Sequence, residues 1–182
     1  MRRLPVYLLL DTSGSMHGEP IEAVKNGVQT LLTTLKQDPY ALETAYVSVI
    51  TFDSSARQAV PLTDLLSFQM PALTASGTTS LGEALTLTAS SIAKEVQKTT
   101  ADTKGDWRPL VFLMTDGSPN DDWRKGLMTL KRPEPALLWH VQPGMMPIPA
   151  SSKKSLKSWF SSIQLTVRRL KLSLNGSVRA FR

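Results

Sequence analysis

Asp11, Ser13 and Ser15 stand at alternate positions in the stretch VYLLLDTSGSM, one carboxylate and two hydroxyls at the end of an apolar run. Two other places carry similar oxygens: the small-residue loop Thr74-Ala75-Ser76-Gly77-Thr78-Thr79-Ser80, and Asp116 in FLMTDGSPNDDW. A donor set of carboxylate and hydroxyl oxygen, with no nitrogen or sulfur, selects a hard cation: Mg²⁺ before Zn²⁺, with Mn²⁺ and Ca²⁺ as the other hard candidates. Read singly, each motif also has a plain structural use. DTSGSM can be a strand-to-helix turn with a capping serine, Thr78, Thr79 and Ser80 can cap a helix, and Asp116 can be a turn aspartate. Only their convergence would make a site.

The elements that must position these residues follow from periodicity. An apolar run bounded by turn residues, as in Val6 to Leu10, reads as a strand buried on both faces, and in open α/β sheets ligand sites lie at the carboxyl ends of such strands. Ile21, Val24, Val28, Leu31, Leu32 and Leu35 have helical spacing, with Pro20 near the first turn and Asp38-Pro39 as the stop. Ala45 to Phe52 is β-branched and aromatic enough for a strand, and Arg57 to Leu62 for a further short one. Leu81 to Val96 repeats apolar residues at helical spacing behind Ser80, a candidate N-cap. Residues 99–107 read as an exposed loop and Leu110 to Met114 as another strand. A short helix follows toward Leu130, opened by Asn120 or a neighbour, with Asp121 and Asp122 read as solvated or first-turn charges. Alternating strands and helices predict a doubly wound α/β domain, its sheet mostly parallel with helices on both faces. The three polar turns then fall at one end of that sheet.

Taken together, DTSGS, GTTSLGEAL and MTDGS resemble the von Willebrand factor A domain and its metal-ion-dependent adhesion site. The likeness covers residue 4 to about 131. It implies that Ser13, Ser15 and a loop threonine hold the ion through hydroxyls, while Asp11 and Asp116 act partly through bound waters. Spacing to Ala84-Leu85 favours Thr79 over Thr78 as that threonine. Few direct negative ligands leave the cation electrophilic, and an open position can accept an Asp or Glu from a protein partner. Within the family, LLLDTSGSM and FLMTDGSPNDDW are most similar to TerY-type proteins of bacterial tellurite-resistance operons. That likeness implies a cytoplasmic role in tellurite or stress resistance, with a phosphatase and a kinase-like protein of the same operon as partners.

Enzymatic readings find less support. An aspartyl-nucleophile phosphatase usually places a second carboxylate two residues after the first, where this chain has Ser13. Neither a Ser-His-Asp order nor a G-x-x-x-x-G-K-[ST] loop is present, and His17 and His140 have no ligand-like companions. The expectation is a binding module and not an enzyme, with a cryptic metal-dependent hydrolase as the rival.

The chain of 182 residues is long enough for one domain with a substantial core, and its lack of cysteine excludes disulfides and thiolate metal sites. Arg2 and Arg3 before an apolar run imitate a signal peptide, but the run is short and ends in Asp11, so it reads as strand. No stretch has the length of a transmembrane helix, and the expectation is a soluble protein. All 15 acidic residues lie at or before Glu134, and eight basic residues lie beyond it; the total of +6 leaves −2 for residues 1–134. The basic pI therefore belongs to the tail.

That tail changes character at Pro133, which sets the domain core at residues 1–132 and an atypical basic tail at 133–182. Trp159 and Phe160 among lysines suggest a nucleic-acid or anionic-membrane arm as an alternative function. The genetic code suggests another origin. Trp139 requires TGG and Met145-Met146 require ATGATG; read two nucleotides later, the bases give alanine and Asp-Ala. The degenerate codons around them permit Ala-Cys-Ala-Ala-Gly-His-Asp-Ala-Asp-Thr, which resembles a last strand and loop of the TerY type. On this reading the tail replaces the native last strand and helix, with Ala136 to Val141 still available as a strand. Sequencing the coding DNA checks it: a family-like open frame should run beneath residues 133–182, and stop codons throughout the other frames would exclude it.

Overall fold

The computed structural model describes residues 2–133 and 135–141, the last six of them as backbone only. Five strands form one sheet in the order β3-β2-β1-β4-β5: β1 (Leu4–Asp11), β2 (Ala45–Phe52), β3 (Ala56–Asp64), β4 (Leu110–Thr115) and β5 (Ala136–Val141). β1 is central and pairs in parallel with β2 and β4, β4 pairs in parallel with β5, and β3 runs antiparallel along β2 at the edge. The predicted mostly parallel, doubly wound class is therefore observed. β5 coincides with the stretch ALLWHV and continues the sheet past residue 132, whereas residues 142–182, with the arm and altered-end readings, lie outside the described residues.

Burial explains the composition of β1. Seven of its eight residues, from Pro5 to Asp11, are buried, because both neighbours are strands and both faces are covered. Tyr7 and Leu9 pack with Ile50, Phe52, Val111 and Leu113 against Leu81, Ala84, Leu85, Ala89 and Ile92 of α3 (Leu81–Glu95) and Leu130 of α4 (Trp123–Lys131). Strand alternation sends Val6, Leu8 and Leu10 to the opposite face. The helix α1 (Glu19–Lys36) buries the six apolar residues that its spacing singled out. A second helix, α2 (Pro39–Thr44), was not anticipated: Asp38-Pro39 ends α1 and at once starts α2, the Asp38 carboxylate accepting from the Tyr40 amide and proline taking the first turn.

Arg2 and Arg3 are staples to the 105–107 loop. Arg3 forms a two-pronged pair with Asp106, at 2.9 and 2.6 Å, and Arg2 stacks 4.0 Å from the Trp107 ring while donating to the Gly105 and Asp106 carbonyls. Nearby, Glu95 closes a partly buried network: it accepts from the Tyr7 hydroxyl (2.9 Å), the Gln58 amide and the Leu62 N–H. Burial first, and then the Glu95 charge, hold the Tyr7 hydroxyl protonated far above its ordinary 10.0. Because the folded-state value is raised, this contribution to stability is complete below about pH 10 and is lost as pH rises beyond it. Tyr7→Phe should cost about 1–3 kcal/mol at pH 7 by removing a donor from Glu95. In urea melts the wild type's advantage over Tyr7→Phe should shrink above pH 10; an advantage that grows there would contradict the assignment.

Candidate metal centre

The direction of the crossovers reverses beside β1: β2 lies on one side of it and β4 on the other. Such a reversal opens a crevice at the carboxyl ends of the central strands. Four loops meet there, after β1, after β2, before α3 and after β4.

Asp11 ends β1 with no exposed surface. One of its carboxylate oxygens accepts from the Ser13 amide at 2.8 Å, and the other accepts a short hydrogen bond from the Thr115 hydroxyl. Burial, reinforced by the nearby Asp116 charge, raises its pKa above the usual carboxylate value against the lowering effect of those hydrogen bonds. The Ser13 and Ser15 hydroxyls lie 3.0 Å apart, and Ser15 donates to Asp116 at 2.9 Å. Ser13 is 1% exposed and Thr79 5%, whereas Ser15 is exposed and Asp116 half-buried, so the group opens to solvent on the Ser15–Asp116 side.

Gly117 marks the convergence. A Cβ added there would stand 3.3 Å from the Thr79 hydroxyl, 3.4 Å from that of Ser15 and 3.8 Å from an Asp11 carboxylate oxygen. The structure thus brings Asp11, Ser15, Thr79 and Asp116 to one place, with Ser13 beside Ser15. Thr78 faces away: its amide and hydroxyl approach the Ser54 hydroxyl at 3.1 and 3.4 Å. The oxygens are chiefly hydroxyls with two carboxylates, and no cluster of three or more His, Cys, Asp or Glu occurs among the described residues. That donor set fits a hard cation.

Several residues that hold the loops were not singled out by their types. Thr12, inside the first motif, bonds by amide and hydroxyl to the Phe52 carbonyl, and its own carbonyl accepts from Ser76. The Gly14 amide donates to the Gly77 carbonyl at 3.0 Å, closing the Thr79 loop over the first turn. Thr115 was visible only as the polar end of an apolar strand; its hydroxyl orients Asp11 and accepts from the Gly117 amide. Ser80 occupies the N-cap of α3 but makes no side-chain cap bond. Asp121 does so instead, accepting from the Gly82 and Glu83 amides at 2.8 and 2.9 Å, and Asp122 caps α4. Asp122, exposed at the start of α4, is the helix-start charge expected, whereas half-buried Asp121 caps α3 and not its own helix.

A doubly wound domain with an oxygen-lined crevice at its topological reversal defines the class. The sequence model of the von Willebrand factor type A domain matches residues 6–136, and the chain belongs to that family. An uncharacterized protein of Synechocystis sp. is 35% identical over 123 residues, 64% of this chain and 26% of that protein. Among solved structures, proximal thread matrix protein 1 from the mussel byssus is similar with a TM-score of 0.69 at 17% identity, covering 91% of this chain and 47% of that one. Another structure of that protein, described as having a zinc-occupied MIDAS motif, gives 0.61 at 16% identity over 93% and 46%. The vWF domain of the type V pili tip protein Mfa5 from Porphyromonas gingivalis gives 0.51 at 20% over 65% and 39%. The chain spans about a quarter of its Synechocystis relative and less than half of these structures. Among the described residues, no helix is long and apolar enough to cross a membrane.

Gly77 has φ +73°, and an added Cβ would meet the Ser54 hydroxyl at 2.4 Å. Gly77→Ala combines left-handed strain with that clash and should cost about 1–3 kcal/mol in a denaturant melt. A loss below 0.5 kcal/mol, outside that rough range, would mean that the loop is not pinned as described.

Proposed function

We propose that this domain binds a protein partner through a divalent cation, Mg²⁺ first, held by Ser13, Ser15 and Thr79 with Asp11 and Asp116. The observation that carries the reading is the convergence of the Thr79, Ser15 and Asp11 oxygens around Gly117, with Ser15 in contact with Asp116. When bound, the cation supplies a positive centre for a partner's Asp or Glu. The chain's own groups do the rest. Thr115 holds the Asp11 carboxylate, the Asp11–Ser13 bond sets the turn, and the exposed Ser15 edge leaves room for an incoming carboxylate. With Asp11 and Asp116 acting partly through bound waters, the direct protein ligands are neutral hydroxyls, and a divalent ion so held stays electrophilic enough to capture a further anion.

The zinc-occupied MIDAS described for the mussel protein supports divalent binding on this fold, and the oxygen-only donor set supports Mg²⁺ over zinc here. The likeness of DTSGSM and FLMTDGSPNDDW to TerY-type proteins supports a cytoplasmic role in tellurite or stress resistance, beside an operon-encoded phosphatase and kinase-like protein. Binding without turnover is part of the reading, because Ser13 occupies the place where a phosphatase of this geometry would need an acid.

Titration calorimetry with Mg²⁺ and with Mn²⁺ tests it. The wild type should bind either ion, and a concentration of 100 Kd should stabilise the fold by about 2.7 kcal/mol. Ser13→Ala removes a hydroxyl that meets Ser15 and the Asp11 carboxylate, so the ion-free protein should lose about 1 kcal/mol while ion affinity falls at least about tenfold and metal-dependent partner capture is lost. Absence of ion binding by the wild type, or metal-dependent phosphatase turnover, would overturn the proposal.

A further inference from the structure

Thr79 cannot be held in the site by its own helix alone. It precedes the N-cap of α3, and no side chain of its own loop fixes its backbone. Its amide donates instead to the Asn120 side-chain carbonyl at 2.9 Å, and its carbonyl accepts from the Asn120 amide, also at 2.9 Å. One residue of the Asp116 loop therefore grips both backbone groups of Thr79. The next residue, Asp121, caps the α3 N-terminus through Gly82 and Glu83. Behind these bonds α3 and α4 touch through glycines: a Cβ on Gly126 would fall 2.4 Å from the Gly82 carbonyl, and one on Gly82 would fall 2.6 Å from the Asp122 carbonyl. The start of α3 and the passage from Asp116 into α4 form one clamped unit.

We infer that Asn120 is a positioning residue of the ion site: by gripping the Thr79 backbone it sets the Thr79 hydroxyl opposite Ser15, and it ties the loops of Thr79 and Asp116 together. This rests on the ion-site reading above. Asn120 touches no site oxygen itself; its effect passes through Thr79. An exposed asparagine with a merely structural role would lower stability and leave ion affinity unchanged. A positioning role predicts the reverse emphasis, because a hydroxyl that wanders from the cation weakens binding before the fold is lost.

A double-mutant cycle on the full chain separates the two, with Mn²⁺ as the probe and its bound signal read by electron paramagnetic resonance. Asn120→Ala should weaken Mn²⁺ binding about tenfold. In a Thr79→Ala background, where the hydroxyl is already gone, Asn120→Ala should have little further effect, since the residues act through one contact. Asn120→Asp keeps an acceptor for the Thr79 amide and should restore most of the binding. Asp122→Ala removes the α4 cap and should lower the melting temperature with affinity within about twofold of wild type. An additive cycle overturns the inference, as does an Asn120→Ala protein that binds like wild type. If Asn120→Ala does not fold, Asn120→Gln decides: it keeps the amide but displaces the carbonyl that accepts from Thr79, so weakened Mn²⁺ binding that Asn120→Asp does not share supports the grip, and affinity equal to wild type overturns it. Failure of the wild type to bind Mn²⁺ is a different result, since it removes the ion site itself and the inference with it.

Discussion

A carboxylate with no exposed surface terminates the central strand of the sheet, and the surrounding architecture follows from keeping it there. Burying an ionised group without partners would cost far more than a small domain can offset. Asp11 is therefore given two: the Ser13 amide, which requires the chain to turn at once, and the Thr115 hydroxyl, which requires the end of β4 to lie alongside. The parallel pairing of β1 with β4 brings that hydroxyl into reach. Even so, the carboxyl is held above its ordinary pKa by burial and by Asp116, and the site is short of positive charge.

The shortage is local, because the opposite end of the sheet is balanced. There Arg3 pairs with Asp106, Arg2 stacks on Trp107, and Glu95 is met by Tyr7, Gln58 and Leu62. The charged groups at that end have fixed protein partners, although the buried Trp107 indole N–H has none among the described residues. At the Asp11 end the chain Ser13–Ser15–Asp116 consists of hydroxyl bonds between exchangeable donors, with one side open. Such bonds are the kind a cation can replace without disturbing the core, since none of them holds a strand or helix in place.

How much of this was legible in the sequence differs by level. Strands and helices whose burial follows one period were readable: the six apolar positions of α1 are the six it buries, and Ala45 to Phe52 is β2. The oxygens that converge were readable in part: the first motif is local and Asp116 follows an apolar strand, whereas Thr79 stood out only by its small-residue loop ahead of α3. What escaped were interactions between loops distant in sequence. Asp121 looks like a first-turn charge of its own helix, yet it caps a different one 38 residues and more away. Asn120 and Thr79 are 41 apart, and nothing in either's neighbourhood announces the other. The helix α2 was lost for the opposite reason: Asp38-Pro39 is both a stop and a start, and a reading that looks for the end of α1 does not look for the next cap.

The cross-loop bonds that hold the centre all fall before residue 133. Every oxygen of the centre, and every residue that orients one, lies between Asp11 and Asn120, on β1, β4 and the loops around them. Asp121, Asp122 and the Gly82–Gly126 contact then lock α3 to α4 within the next six residues. The sheet continues on the far side of β4 through the backbone of β5, which pairs along all six of its residues. β4 is thus flanked on both edges, so the strand that leads into Asp116 has no open edge. The converging oxygens and the residues that orient them all precede residue 126, and the β4–β5 pairing is what encloses β4 on its outer side.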